Sequence, residues 1–171
     1  HLIVYRQTAD GGPARGPEPC SNGLPIGMLP GAQEPHTELP LPPGIAYKVG
    51  AADALYFQMH YINATAAPIT ARVNYRMGTI AKEAVSELAG ELFYSMWNLK
   101  VPTGKSTQEQ TCKAPYDLNL MLATGHMHKH ALTFDASIAG KPVYHTNDWD
   151  SPKWAAFDHP GYQVKQGDAI H

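Results

Sequence analysis

Long apolar runs are missing from this 171-residue chain. It therefore holds no candidate transmembrane helix, which needs about 20 consecutive apolar residues. An excess of basic residues is missing too. Lys and Arg number 13 against 15 Asp and Glu, for a formal net charge of −2, and a nucleic-acid or anionic-membrane partner would call for a basic face. Cysteine is scarce. Cys20 and Cys112 are the two present, too few for a dense disulfide scaffold and open to mutual pairing, free thiols or partners outside the chain. A secretory-signal pattern is absent as well, because residues 1–5, HLIVY, already read as a strand.

Glycine and proline are plentiful, at 15 each, and imply many turns and short strands. The length suits one ordinary domain or two small ones, with about 70% of the unfolded surface buried on folding. Asn63-Ala64-Thr65 matches a glycosylation sequon, a pattern common by chance.

Residues 7–43 are broken by Gly12-Pro13, Gly16-Pro17, Pro30-Gly31 and Pro42-Pro43-Gly44, which leaves little regular structure. So long an irregular segment usually serves a function or wraps a surface. Alternating patterns predict strands over residues 1–6, 45–49, 55–62, 69–75 and 92–97. Further strands are expected over 116–134, 141–144, 161–164 and 169–171, with a hairpin turn at 137–140 and another turn at 166–168. Residues 80–92 carry helix-favouring side chains, enough for a short helix at most. The expected fold is all-β and antiparallel, of sandwich or jelly-roll type.

The chemistry concentrates in Gly125-His126-Met127-His128-Lys129-His130. On an extended strand His126, His128 and His130 leave one face, and Met127 and Lys129 the other. Two imidazoles so spaced can share a transition metal, and imidazole suits copper, zinc, iron and nickel. The bland alternative is an exposed, histidine-rich strand end. A second strand, Leu55-Tyr56-Phe57-Gln58-Met59-His60-Tyr61, delivers another histidine beside aromatic residues.

The order of short motifs is more specific than any one of them. His1-Leu2-Ile3-Val4 comes first, then Pro42-Pro43-Gly44 leading to Gly50, then Tyr56-Phe57-Gln58-Met59-His60-Tyr61. Val101-Pro102-Thr103-Gly104 follows, Cys112 precedes the His126-x-His128 pair, and Gly167-Asp168-Ala169-Ile170 lies near the end. This order resembles the copper type II, ascorbate-dependent monooxygenases, the group of peptidylglycine α-hydroxylating and dopamine β-monooxygenases, over nearly the whole chain.

The resemblance implies two jelly-roll-like β-sandwich domains, 1–78 and 79–171, each with one copper and both incomplete here. The electron-transfer copper of that family is held by an adjacent His-His pair and by the histidine of the Gln-x-His-Tyr strand. His60 and Gln58 match that strand, and His1 matches the second histidine of the pair. The catalytic copper is held by His-x-His, matched by His126 and His128, and by a methionine that would fall beyond residue 171. The implied reaction is hydroxylation of a C–H bond of a small organic substrate, with O₂ as oxidant and ascorbate as reductant. The implied setting is secreted, lumenal or periplasmic, where disulfides persist. With one ligand of each set outside the chain, the 171-residue segment is expected to be inactive by itself.

Thr124 marks a departure. The peptide-amidating branch carries an arginine at that position to grip a substrate carboxylate, and a threonine offers no bidentate grip. Met127, on the opposite side from the pair, is a poor replacement for the methionine ligand. Cys112 matches a cysteine bonded near the end of the family's second domain, and Cys20 falls where first-domain disulfides cluster. The two are therefore not expected to bond to each other. Two other readings compete: a histidine-brace copper oxygenase using His1 as an amino terminus, and a copper-binding β-sandwich module without catalysis.

Overall fold

The apolar strand β1, Leu2–Gln7, is the centre of the first sheet in the computed structural model, which describes residues 1–7, 27–96 and 99–171. Its Val4 is fully buried. On one side lies β2, Met28–Ala32, which pairs antiparallel with an irregularity between Leu2 and Val4. Gly31 permits that approach, since a Cβ there would sit 2.2 Å from the Leu2 carbonyl oxygen. Next in the chain is β3, Ile45–Tyr47, and then β4, Ala54–Met59. β4 covers the other side of β1 in an unbroken antiparallel register, from Leu2↔Met59 to Gln7↔Ala54. Cys20 lies outside the described residues.

One pair departs from the antiparallel expectation. β3 runs parallel to β5, Glu87–Ala89, through the long connection that parallel pairing requires. The Gly44 carbonyl starts the pair by accepting the Ser86 and Glu87 amides at 2.8 and 3.2 Å. This pairing lies within the first of two compact units, His1–Leu92 and Phe93–His171. Lys82–Ala84 forms a single 3-10 turn within the segment read as helix-favouring.

Two expected strands do not form. Residues 69–75 and 92–96 join no ladder among the described residues, and residue 97 lies outside them. Ile69 and Val73 are 50% and 45% exposed, so the alternation is present but no sheet edge meets it. Tyr75 is held instead by its ring against Phe57, 5.6 Å between centroids, and by its hydroxyl to the Pro30 carbonyl at 3.4 Å.

The second unit contains β6, Cys112–Lys113; β7, Leu118–Leu120; β8, Leu122–Ala123; and β9, Phe134–Ile138. After these come β10, Lys141–Thr146; β11, Ala155–Ala156; β12, Tyr162–Val164; and β13, Ala169–Ile170. Four form an antiparallel sheet in the order β10-β9-β13-β6, while β11 pairs with β8 and β12 with β7. Its core is Ala114, Ile138 and Val164, with Leu118, Leu120, Val143, Tyr162 and Ile170 packed around them. The β9–β10 hairpin turns on Ala139 and Gly140, at φ +48° and +76°, the positive values a two-residue hairpin turn demands.

Asp117 fastens the turn before β13 by accepting the Gln166 amide at 2.8 Å and the Lys165 ammonium at 3.1 Å. Those contacts hold its carboxyl below the usual range, the backbone amide contributing most. The chain is all-β, and among the described residues no helix is long and apolar enough to cross a membrane.

The first unit also holds a half-buried carboxyl. Glu91 accepts a hydrogen bond from the Tyr47 hydroxyl, with Tyr75 nearby. Burial pushes the Glu91 carboxyl up, against a smaller opposing effect of the Tyr47 bond. Burial and the adjacent carboxylate push both tyrosines up. A carboxyl whose folded pKa is raised binds more protons in the folded chain, so its contribution is favourable at low pH and is lost as pH rises through the folded value. Glu91→Gln keeps an acceptor for Tyr47 and removes the titration. The expected result is a gain in Tm at pH 7.5 that shrinks at pH 4.5, read from melting curves at both pH values; equal gains would contradict it.

Candidate metal centres

The β1/β4 register continues one residue beyond the strands. The His1 main-chain nitrogen donates to the His60 carbonyl at 2.8 Å, and the His60 amide donates back to the His1 carbonyl at 2.9 Å. His1 and His60 are therefore directly opposite, with side chains on one face of the pair. Their rings meet edge-on, 4.5 Å between centroids and 67° between planes. His60 is exposed and His1 half-buried. Gln58, two residues before His60, shares its face, and the buried Tyr5 donates its hydroxyl to Gln58 Oε1 at 3.2 Å.

The second pair is built within one stretch. Gly125 and Met127 are buried while His126 and His128 are exposed, the alternation expected of an extended chain. Met127, 8% exposed, anchors the segment from behind. The two imidazoles lie 5.1 Å apart at an interplanar angle of 82°, with Nε2 atoms 3.2 Å from each other. With metal–nitrogen bonds of roughly 2.0–2.1 Å, that separation subtends about 100° at a shared ion. An angle of that size suits two neighbouring ligands of one metal.

The strand predicted to run through residue 134 is interrupted. β8 ends at Ala123, and Lys129 and His130 form a turn closed by the Ala131 amide on the His128 carbonyl at 2.8 Å. His130 thereby leaves the alternation. Among the described residues, no group of three or more His, Cys, Asp or Glu is arranged to hold a metal. The donors brought together are two imidazoles at each centre, which fits part of a copper ligand set.

Two features around the second pair carry no signal as metal ligands. A Cβ on Gly125 would lie 2.6 Å from Phe134 Cδ1, so glycine alone lets that ring pack against the backbone between Thr124 and His126. Phe134 in turn meets Tyr144 edge-on at 6.0 Å, and Tyr144 ties the next loop through the Lys153 carbonyl at 2.8 Å. A glycine inside an apolar strand pattern is the one sequence clue to such a close approach. Thr124 Oγ1 is buried with no hydrogen-bond partner among the described residues.

The other imidazoles have different company. His145 Nδ1 meets Asp135 Oδ1 at 2.7 Å across the β9–β10 ladder, and His171 Nδ1 meets Thr111 Oγ1 at 2.9 Å. Cys112 carries a free thiol, approached by Gln110 Nε2 at 3.3 Å. Compared with protein-family models, with curated proteins and with solved structures, the chain matches none.

Gly125→Ala should destabilise the second unit by about 1–3 kcal/mol, the usual cost of forcing extra volume into packed surroundings. It should also weaken copper(II) binding at His126 and His128, because the backbone carrying them must move away from Phe134. Urea melts and a copper titration test both effects, and wild-type values in both would refute the packing account.

Proposed function

We propose that this chain is the copper-binding portion of a copper type II, ascorbate-dependent monooxygenase. His1 and His60 hold the electron-transfer copper, and His126 and His128 hold the copper at which a small organic substrate is hydroxylated with O₂. The observation that carries the reading is the pairing itself. Each pair comes together within a different compact unit, and each falls where the motif resemblance calls for ligands. The reading brings with it jelly-roll-like connectivity in the complete domains and a secreted, lumenal or periplasmic setting.

Copper, when bound, supplies one-electron chemistry between its two common oxidation states, both of which accept imidazole. The chain's own residues supply geometry. The β1/β4 ladder fixes His1 against His60, and Met127 and Phe134 fix the backbone beneath His126 and His128. Thr124 offers no cation, which favours a substrate without a carboxylate to be gripped at that point.

Copper content per chain tests the assignment. The wild-type chain should bind two copper ions, while His60→Ala and His126→Ala should each bind one. One copper in the wild-type chain and none in either variant would mean one shared site and would overturn the proposal. Ascorbate-dependent oxygen uptake separates the enzyme from a non-catalytic copper module: it should accompany chains with complete three-ligand sets and require both histidine pairs.

A further inference from the structure

Across the β1/β4 ladder, His1 faces His60, Ile3 faces Gln58 and Tyr5 faces Tyr56. These six residues share one face, since side chains alternate along each strand. Gln58 is thus the diagonal neighbour of both His1 and Tyr5, at about 7–8 Å, within reach of long side chains. Tyr5 is 2% exposed and donates its hydroxyl to Gln58 Oε1. A carboxamide has one accepting end and one donating end. With the oxygen end engaged by Tyr5, the amino end is the donor Gln58 has left to offer on the face that carries the histidines.

We infer that Tyr5 is a positioning residue for the His1/His60 centre: it holds the Gln58 amide so that its N–H₂ end is presented to a water or anion bound beside the imidazole pair. The inference rests on the copper reading of that pair. A buried tyrosine requires a partner for its hydroxyl, and packing alone would be satisfied by any acceptor. Gln58 adds a donor on the face that carries the histidines. A neutral N–H donor fixed there favours an anionic ligand without adding charge, and hydrogen bonds around a metal tune its ligands in this way.

The test uses the 171-residue chain with His126→Ala and His128→Ala, so that copper(II) loads the first pair alone, and azide as the anionic probe. Azide affinity is read from the optical and paramagnetic resonance spectra of the copper-loaded protein. Tyr5→Phe and Gln58→Leu should each weaken azide binding by about tenfold, the scale of one hydrogen bond to a charged group. The double variant should be no weaker than either single one, because the two residues act in series. Copper should stay at one per chain throughout. Wild-type azide affinity in Tyr5→Phe with copper retained would overturn the inference and leave the copper reading standing. Copper binding that survives His60→Ala in this background would overturn both. If Tyr5→Phe did not fold, Gln58→Leu would decide, with unchanged azide affinity counting against the inference.

Discussion

The antiparallel register between β1 and β4 is the constraint on which the first centre depends. Six consecutive pairs from Gln7↔Ala54 to Leu2↔Met59 leave no freedom at the next position, so His1 must meet His60. A slip of one residue would move every side chain of one strand to the other face and separate the imidazoles. Burial resists that slip, because Val4 and Tyr5 are both enclosed and a shift would exchange their surroundings. The same register sets Gln58 between Tyr5 and His1. Core packing and site geometry are thus two consequences of one alignment.

The second centre is secured by other means. His126 and His128 lie past the end of β8 and outside the strand ladders among the described residues. Their common direction comes from extended backbone, from Met127 driven inward between them, and from the ring of Phe134 against Gly125. β8 itself is short, paired to β11 through Ala123↔Ala155 and Leu122↔Ala156, so it fixes where the segment starts more than where it goes. The turn at Lys129 and His130 then reverses the chain toward β9. Packing from behind takes over the task that pairing performs at the first centre.

This difference explains what could be read in the sequence. β1, β4, the β9–β10 hairpin, β12 and β13 stood out because apolar alternation and turn residues agreed there, and the alternation that exposes His126 and His128 follows from the strand period alone. The resemblance marked Gln58, but nothing marked Tyr5, since a tyrosine in a strand looks like any core residue until its hydroxyl finds a partner. Residues 69–75 misled for the opposite reason. Ile69, Val73 and Tyr75 alternate as a strand should, yet alternation reports a preference for a half-buried surface and not the presence of an edge to join. The pairing of β3 with β5 was invisible because parallel partners are joined by long connections.

The two constructions also differ in how a bound metal would act on the fold. His126 and His128 are two residues apart, so an ion shared between them constrains a short loop and adds little to long-range order. His1 and His60 are joined through the β1/β4 ladder, and their backbones already exchange two hydrogen bonds. An ion held by both would close a long loop at its base, where cross-linking removes the most freedom from the unfolded chain. Binding energy at that centre would also be folding energy for the first sheet. The centre assigned to electron transfer is therefore the one whose metal would stiffen its own scaffold. The centre proposed for the substrate carries its pair beyond the end of β8, so a metal there would cross-link only a short stretch of chain and leave the sheet's own pairing to β9, β10 and β13.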